Sequence, residues 1–441
     1  MTRVNHKDIY FIGIKGTGMS ALALICKDLG YNVSGSDLDK HFFTETRLIE
    51  ANIPIYSFNP SNIRDHTIVI VGNAFDDTFE EVVAASNNKT VTVYRYHQFL
   101  GHLMGQYRTI SVSGTHGKTT TTTLLKDMLS EYKNTGYLIG DGSGLVENDD
   151  YYFAVEACEF RRHFLAYHPD IAVMTNFELD HVDYFKDEAD YLSAYNEFSK
   201  NVKEVVIAWG DDPHFARLNL APTTLTYGFS TKNDFQAINI DRSETHSYFD
   251  VIAHGQFIKR FDLPLVGDHM ILNALSVIAV GLYEEIPVDL IERGLQNFSG
   301  AKRRYSIETV GESILIDDYA HHPTEIKVTL EATRIRYPNK KIVAIFKPHR
   351  VGRIYHFINE FITSLSIADE VAICPFTSID DAQDGIDIDA TFLQSRIEGA
   401  FMVDEDEQSV QALLAFEPAV YVFMSDKDVY NLKNLLKDHL Q

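Results

Sequence analysis

A short glycine-containing stretch, residues 113–120 with the sequence SGTHGKTT, constrains the fold of this chain more than any other feature. The apolar run at residues 109–112 predicts a buried strand before it, and residues 121–129 predict a helix after it. Strand, glycine turn and helix together form a phosphate cradle, because glycines let backbone N–H groups approach phosphate oxygens at the positive helix N-terminus. A lysine there neutralises phosphate charge, and the hydroxyl after it can ligate Mg²⁺. The stretch therefore predicts an ATP site.

The spacing of the glycines leaves an alternative for this motif taken alone. The common phosphate-loop pattern has four residues between its first glycine and the Gly-Lys pair. Here two residues separate Gly114 from Gly117, so a glycine turn with a surface lysine is the competing interpretation. The predicted ATP contacts are Gly114, Thr115, His116, Gly117, Lys118, Thr119 and Thr120.

The chain of 441 residues is too long for one hydrophobic core and predicts about three domains. Apolar strands alternate with helical patterns in three blocks, which predicts an α/β fold with parallel sheets. Residues 234–265 change to short alternating runs, which predict a small antiparallel patch on the central sheet. The predicted domains span residues 1–106, 107–299 and 300–441.

The amino-acid composition excludes some classes of protein. A hydrophobic content of 45% and a charged content of 23% are typical of globular proteins. The net charge of −24 disfavours nucleic-acid binding, which depends on basic contacts to phosphate. The three cysteines lie far apart in apolar settings, and no stretch has the pattern of a signal peptide or a membrane span. We therefore expect a cytoplasmic protein without membrane insertion.

A second glycine motif follows the first predicted strand. Gly16, Thr17 and Gly18 begin a Gly-x-Gly-x-x-Ala pattern, and Asp37 lies at the end of the next strand. An acid in that place binds a ribose in dinucleotide-binding folds. The motif fits either NAD or a nucleotide-linked substrate, whose diphosphate would occupy the same helix N-terminus. The ATP site in the next block favours the nucleotide-linked substrate.

Carboxylates end two strands of the central block. Glu156 ends one strand, and Asp180 with His181 follow the next. Since the carboxyl ends of neighbouring parallel strands meet at one crevice, we expect these side chains to face the phosphate loop and to suit Mg²⁺. On chemistry alone, His181 is a hydrogen-bonding residue. Glu159 is either part of this site or a carboxylate that complements a helix N-terminus.

The third block places histidines and arginines after two strands. Tyr319, in residues 317–323, follows one strand, and His349, Arg350 and Arg353 follow the next. Both segments are expected at one edge of the sheet, where such side chains suit a carboxylate or a developing oxyanion. A metal site is the alternative for the paired histidines at 321 and 322. Of the arginine pairs 161–162 and 303–304, we expect one member each to be merely solvated.

Taken together, these motifs resemble those of the Mur ligases over nearly the whole chain. The segments that carry the resemblance are residues 11–20, 114–120, 156–164, 175–181, 267–274, 302–304, 317–325 and 348–353. The resemblance implies a Rossmann-like N-terminal domain for a UDP-sugar, a central P-loop ATPase-type domain, and a Rossmann-like C-terminal domain that closes over both. It also implies ATP-dependent ligation of L-alanine to UDP-N-acetylmuramate through an acyl phosphate, by a monomer or homodimer.

The resemblance assigns roles to the motif residues. It implies that Lys118, His349, Arg350 and Arg353 are catalytic, and that the last three form an amino-acid pocket with Tyr319. Mg²⁺ ligands would be Thr119, Glu156 and, against the chemistry-only interpretation, His181. Asn273 and Arg303 would contact ATP, while Gly16, Thr17, Gly18 and Asp37 would bind the UDP-sugar.

Three C-terminal segments depart from the family pattern. Residues 425–429 read SDKDV where the family usually has GAGDI, Ile354 replaces a common threonine, and residues 375–381 differ from the expected loop. This domain selects the amino acid, so a ligase for another amino acid or UDP-sugar is an alternative. A non-catalytic UDP-sugar-binding protein and an NAD-dependent oxidoreductase are the alternatives from other classes.

Overall fold

The computed structural model describes residues 8–42, 44–182, 184–221, 223–298, 300, 303–376, 386–427 and 429–440. Lys302 of the arginine motif, Ser299 at the predicted domain boundary, residues 377–381 of the divergent loop and Asp428 lie outside these ranges. Three separate β-sheets, flanked by helices, organise the described chain.

The N-terminal sheet has five parallel strands in the order β3-β2-β1-β4-β5. Its apolar central strand β1 is buried on both faces, as expected for a parallel strand between helices. The strands are β1 (Asp8–Ile12), β2 (Asn32–Ser36), β3 (Ile55–Tyr56), β4 (Ile68–Val71) and β5 (Thr92–Arg95), and the helices are α1 (Thr17–Asp28), α2 (Glu45–Glu50), α3 (Glu80–Asn87) and α4 (Tyr96–Met104).

The central sheet has ten strands in the order β15-β14-β13-β12-β11-β10-β6-β9-β7-β8. Strands β13 to β15 pair antiparallel, which confirms the predicted patch. The strands are β6 (Arg108–Ser113), β7 (Thr135–Leu138), β8 (Gly144–Leu145), β9 (Tyr152–Glu156), β10 (Ile171–Met174), β11 (Val205–Trp209), β12 (Thr223–Gly228), β13 (Phe235–Arg242), β14 (Ser247–Ala253) and β15 (Gln256–Leu263), and the helices are α5 (Lys118–Ser130), α6 (Glu188–Ser199), α7 (Asp268–Tyr283) and α8 (Val288–Gln296).

The C-terminal sheet has six strands in the order β16-β17-β21-β18-β19-β20, and all but β16 are parallel. The strands are β16 (Ser306–Val310), β17 (Ser313–Asp318), β18 (Lys341–Phe346), β19 (Glu370–Ile373), β20 (Phe401–Met402) and β21 (Ala419–Met424), and the helices are α9 (Pro323–Arg336), α10 (Val351–His356), α11 (Ile358–Leu365), α12 (Thr391–Gln394), α13 (Glu407–Leu414) and α14 (Tyr430–His439).

The predicted α/β class with three domains of this architecture is confirmed. Cys26 and Cys374 are buried as expected, whereas Cys158 is exposed. Within the described ranges, no helix combines the length and apolarity needed to cross a membrane.

Strand order explains where polar side chains converge. Strand β6 lies between β10 and β9, so the loop after β6 is flanked by the segments that follow Glu156 and Met174. In the C-terminal sheet, β21 lies between β17 and β18, and the segments that follow these three strands are neighbours. Ligands of open α/β sheets bind at such strand ends.

Candidate functional site

The loop after β6 has the backbone that a phosphate cradle requires. Gly114 and Gly117 have φ angles of 127° and 80°, which residues other than glycine rarely adopt. A Cβ atom on Gly114 would lie 2.9 Å from the backbone nitrogen of Thr175. The N–H of His116 donates to Oδ1 of Asn176 at 2.9 Å, and its carbonyl accepts from the Thr175 hydroxyl at 2.6 Å. The end of β10 therefore holds the loop in shape.

Lys118 begins α5 and lies across the mouth of this loop. Its ammonium donates to the carbonyl of Thr115 at 2.9 Å and lies 3.1 Å from Oε2 of Glu159. Burial lowers the pKa of Lys118, but the neighbouring carboxylate of Glu159 outweighs it and raises the pKa above its ordinary value. The lysine is therefore a fixed positive charge at the predicted phosphate position.

Thr119 and Glu156 meet beside Lys118. The Thr119 hydroxyl donates to Oε2 of Glu156 at 2.9 Å, and the N–H of Gly140 donates to the same oxygen at 2.8 Å. A hydroxyl and a carboxylate at a phosphate loop are the oxygen donors that Mg²⁺ prefers. The two side chains thus fit one magnesium ion next to a nucleotide.

His181 and Glu159 lie on the other side of Lys118. Nε2 of His181 is 3.7 Å from Oε1 of Glu159, a carboxylate whose side chain is only 1% exposed. Nδ1 of His181 is buried without a hydrogen-bond partner, whereas Oε2 of Glu159 pairs with the ammonium of Lys118. Because an unpartnered buried imidazole nitrogen is rare in proteins, the pair of side chains fits a second cation that approaches with its substrate.

A cavity of about 570 Å³ adjoins the phosphate loop and extends between the central and C-terminal sheets. Its wall includes the aromatic side chains of Trp209 and Phe229 together with Asn273, the nucleotide contact that the resemblance implies. Arg304 also lines it, and its Nη2 lies 3.4 Å from the hydroxyl of Thr119. The size and the lining of this cavity suit a purine nucleoside whose phosphates reach the phosphate loop.

Arg303 does not reach this cavity. Its guanidinium lies 3.4 Å from Oδ1 of Asp317 and donates to the carbonyls of Ser425 and Lys427 at 2.8 Å each. Arg303, the predicted ATP contact, is therefore bound to residues of the C-terminal domain. Its neighbour Arg304 lies beside the phosphate loop instead. Neither arginine of this pair is merely solvated.

The N-terminal glycine motif lines a cavity of about 680 Å³. Gly16, Thr17, Gly18 and Asp37 all belong to its wall, as does the aromatic ring of Phe42. The two carboxylate oxygens of Asp37 accept the backbone N–H groups of Lys15 and Leu38, both at 2.7 Å. Asp37 thereby holds the glycine loop against the end of β2 and remains at the cavity.

A basic cavity of about 460 Å³ shares residues 73–75 of its wall with this cavity. Arg95 and His97 of the N-terminal domain face Arg161 and His163 of the central domain, and the two histidine rings stack at 4.4 Å. Burial, with a smaller contribution from His97, lowers the pKa of His163 to about 4. The guanidinium of Arg95 pairs with Asp77, so of the two arginines Arg161 is the one that can bind an anionic group here.

The predicted amino-acid pocket of the C-terminal domain is compact and charged. Nδ1 of His349 lies 2.7 Å from Oδ2 of Asp426, and Nη2 of Arg353 lies 3.0 Å from Oδ1 of Asp180. The guanidinium groups of Arg303 and Arg304 lie 5.4 and 4.8 Å from the centre of the Tyr319 ring, while that of Arg350 lies over the ring of Phe160 at 5.8 Å. Arg350 and Arg353 thus bring this group of residues against the central domain.

A charged network joins the central and C-terminal domains at His116. Its Nε2 lies 3.0 Å from Glu178 and its Nδ1 lies 3.2 Å from Glu325. Burial lowers the pKa of His116, but hydrogen bonds to the two glutamates outweigh it and raise the pKa to about 9. His322 packs against His116, and within the described ranges these histidines and Glu178 are the one cluster with metal-binding geometry.

Several of these residues were not singled out from the sequence. Glu178, Glu325 and Asp426 are carboxylates near motifs, and Arg304 was given no role. Glu325 had a detectable signal, since it occupies the third position of α9 and completes a capping box with His322. Glu178 and Asp426 pair with histidines that are distant in the sequence, and the position of Arg304 depends on how the domains dock, so a local pattern contains none of the three.

Comparisons with known proteins match this arrangement. Sequence models of the Mur ligase family match residues 8–108 (catalytic domain), 112–281 (middle domain) and 303–425 (glutamate ligase domain). A UDP-N-acetylmuramate–alanine ligase, MurC, from Thermotoga maritima superposes with a TM-score of 0.79 at 27% identity, over 98% of this chain and 99% of that one. A murein peptide ligase from Psychrobacter arcticus gives 0.71 at 22% identity, over 98% and 99%. A MurF ligase from Thermotoga maritima in complex with ADP gives 0.67 at 15%, over 99% of both chains.

Proposed function

Because this chain belongs to the Mur ligase family, we propose that it uses ATP to join an amino acid to the carboxylate of a UDP-sugar. The substrates we propose are UDP-N-acetylmuramate and L-alanine, which makes the reaction a step of peptidoglycan precursor synthesis. The similarity to the Thermotoga maritima alanine ligase supports this choice.

The observation that carries the proposal is the contact between the phosphate loop and the C-terminal domain. Arg304 approaches the hydroxyl of Thr119 at 3.4 Å, and Arg353 binds Asp180 of the central domain at 3.0 Å. These contacts support a proposed phosphate site next to a proposed amino-acid pocket. Such closure also excludes water, which would hydrolyse a reactive acyl intermediate.

The chemistry follows from the substrates. A carboxylate does not react with an amine, so the γ-phosphoryl group is first transferred to it and an acyl phosphate forms. Lys118 and Arg304 stabilise the charge on the transferring group. Thr119 and Glu156 would hold one Mg²⁺, and Glu159 with His181 a second, which would neutralise phosphate charge when bound. The amine then displaces phosphate and an amide results.

A ligase for a different amino acid is the second candidate. It is favoured by Asp426, a buried carboxylate in the predicted amino-acid pocket at a position where the resemblance implies a small residue. The UDP-sugar and ATP sites would serve such an enzyme equally well.

The test is phosphate release from Mg·ATP with UDP-N-acetylmuramate and each common amino acid in turn. Release that requires both the UDP-sugar and L-alanine supports the proposal. Release with another amino acid would support the same reaction type with that amino acid as the substrate instead of L-alanine. Absence of release with every combination would overturn the ligase assignment in favour of a non-catalytic binding protein.

A further inference from the structure

His116, Glu178 and His322 form a cluster that belongs to neither of the two Mg²⁺ positions described above. A ring nitrogen of each histidine and a carboxylate oxygen of Glu178 all lie within 4.8 Å of one another. Nε2 of His116 is 3.0 Å from Oε2 of Glu178, and Nδ1 of His322 is 4.0 Å from the same oxygen. Ligand atoms around a tetrahedral zinc ion are about 3.3 Å apart, so a modest closure of this cluster would surround an ion.

His322 is the member of the cluster whose surroundings point to a ligand. Its side chain is 1% exposed, and its Nε2 atom has no hydrogen-bond partner. Nδ1 accepts the N–H of Thr324 at 3.4 Å, which is long for a hydrogen bond. Burial and the nearby His116 lower the pKa of His322 to about 4, so the ring is neutral, as a metal ligand must be. A cation would engage this weakly bonded, buried imidazole.

The other two members of the cluster are oriented by partners on their far sides. Nδ1 of His116 lies 3.2 Å from Oε1 of Glu325, and Oε1 of Glu178 accepts the hydroxyl of Thr324 at 2.8 Å. Metal-binding histidines usually donate their second N–H to a carboxylate, and metal-binding carboxylates are themselves hydrogen-bonded. Nε2 of His116 and Oε2 of Glu178 are thereby left facing each other, as two ligands of one ion would be.

The position favours positive charge, and an ion can reach it. Burial lowers the pKa of His116, but Glu178 and Glu325 outweigh it and raise the pKa to about 9. A divalent ion would replace the proton between Nε2 of His116 and Glu178, beside the same two carboxylates. His116 and Glu178 also line the cavity of about 570 Å³, which provides a route of entry and room for a water ligand.

We propose that His116, Glu178 and His322 bind a divalent transition-metal ion, for which Zn²⁺ is the best match. Two imidazoles and one carboxylate suit zinc, whereas Mg²⁺ prefers a set of oxygen ligands. His322 belongs to the C-terminal domain and the other two ligands to the central domain, so the ion joins the two domains and stabilises their contact. The site goes beyond the proposed ligase reaction and does not depend on it.

The experiment uses Co²⁺, which takes the place of Zn²⁺ and absorbs visible light strongly when it is four-coordinate. The full chain is freed of metal with a chelator and titrated with Co²⁺ in excess Mg²⁺, without nucleotide. We expect one equivalent of Co²⁺ to produce these absorption bands and one equivalent of Zn²⁺ to remove them, because zinc binds such ligands more tightly. Co²⁺ should also raise the Tm, since the complete site exists only in the folded protein.

Four variants locate the ion. His322→Asn should abolish the bands, because asparagine can still cap α9 but offers no imidazole. Glu178→Gln should abolish them as well. Glu325→Gln keeps the capping box and all three ligands, so the bands should remain while Co²⁺ binds about 10–100-fold more weakly, as after loss of a ligand's own partner. His321→Asn, at the neighbouring histidine, is the matched control and should bind Co²⁺ as the wild type does.

Three results would overturn the proposal. The first is wild-type protein without the bands, and the second is bands that survive in both His322→Asn and Glu178→Gln. The third is loss of the bands in His181→Gln, which would place the ion with Glu159 instead. If His322→Asn is misfolded by circular dichroism, Glu178→Gln decides. None of these measurements requires turnover, so failure of the metal site and failure of the proposed ligase reaction are distinguishable.

Discussion

Lys118 has an unusual environment for a phosphate-binding residue, because a fully buried carboxylate restrains it before any ligand arrives. The distance to Oε2 of Glu159 is 3.1 Å, and the side chain of Glu159 is 1% exposed. An arriving phosphate must therefore share the lysine with Glu159. That competition explains why a cation between Glu159 and His181 would assist nucleotide binding, since it would engage the carboxylate.

Lys118→Ala should abolish ATP turnover while the chain stays folded. The substitution removes the positive charge that stabilises the transferring phosphoryl group, and we expect a loss of at least about 10²–10³-fold. Phosphate release measures turnover, and far-UV circular dichroism measures folding. Lys126→Ala on the same helix is the matched control, and near-normal turnover of Lys118→Ala would contradict the assignment.

Gly114→Ala should impair ATP binding through the backbone alone. The position has a φ of 127°, and the new methyl group would lie 2.9 Å from the Thr175 nitrogen, so the loop must shift. Strain of this kind costs about 1–3 kcal/mol. Equilibrium binding of a fluorescent ATP analogue should weaken about tenfold or more. Gly255→Ala, also at positive φ but in open space, is the control that separates collision from conformational strain.

At the residue scale, the sequence identified the groups that belong to one local motif. The loop at residues 113–120 and the pair Thr119 and Glu156 could be predicted, because strand ends and glycine spacing fix them locally. Glu178 and Arg304 could not, because their partners His116 and Thr119 lie far away in the sequence, and Arg304 belongs to a different domain from Thr119. Arg303, expected at the nucleotide, lies beside Asp317 of its own domain.

At the scale of helices and strands, the buried elements were the ones that the sequence pattern predicted best. Nearly every side chain of strands β1, β6 and β10 is buried, and these strands are apolar runs in the sequence. The segment at residues 160–166 could not be predicted, because Arg161 and Arg162 adopt φ angles of 50° and 57°. Such conformations of bulky residues are imposed by surrounding contacts, and here they direct Arg161 to the basic cavity and Arg162 to Asp190.

The packing of α8 on α5 depends on one small residue. A Cβ atom on Gly294 would collide with the backbone of Met128, whose nitrogen would lie 2.9 Å away. Alanine usually stabilises a helix relative to glycine by about 1 kcal/mol. Here we expect Gly294→Ala to destabilise the protein by about 1–3 kcal/mol, because overpacking outweighs propensity.

Urea unfolding measures the effect of Gly294→Ala, with Gly105→Ala as the control, because Gly105 has an ordinary negative φ and a Cβ there would meet no atom closer than 3.5 Å. The KM for ATP should remain within about twofold, because the contact lies on the far side of α5 from the phosphate loop. A stabilised Gly294→Ala variant would show that the helices separate at little cost.

At the scale of the whole molecule, the active arrangement is produced by domain docking. His116 and Asp180 of the central domain contact Glu325 and Arg353 of the C-terminal domain, and Glu178 accepts a hydrogen bond from the Thr324 hydroxyl. Sequence patterns predict each sheet separately, but the distances between sheets follow from side chains that meet only after docking. The predicted site residues of the two domains are therefore brought together by this interface.

The charge of His116 makes the interface sensitive to alkaline pH. Its pKa is raised to about 9 from an ordinary value near 6.5, so its contribution to stability is complete below about pH 6.5 and is lost as the pH rises through 9. The pKa of Glu178 is lowered to about 2 and that of His322 to about 4, so neither changes charge between pH 6 and 10. His116 therefore controls the interface in this interval.

Thermal unfolding of wild-type protein and His116→Gln across pH 6 to 10 tests this linkage. The wild type should have the higher Tm at pH 6, by about 2–4 °C for each kcal/mol that the charged network contributes. The difference should fall steadily above pH 8 and disappear near pH 10, because the neutral imidazole no longer attracts both glutamates. His168→Gln, at an exposed position, should show no such trend. A Tm difference that is constant or grows with pH would mean that His116 joins the domains as a neutral side chain.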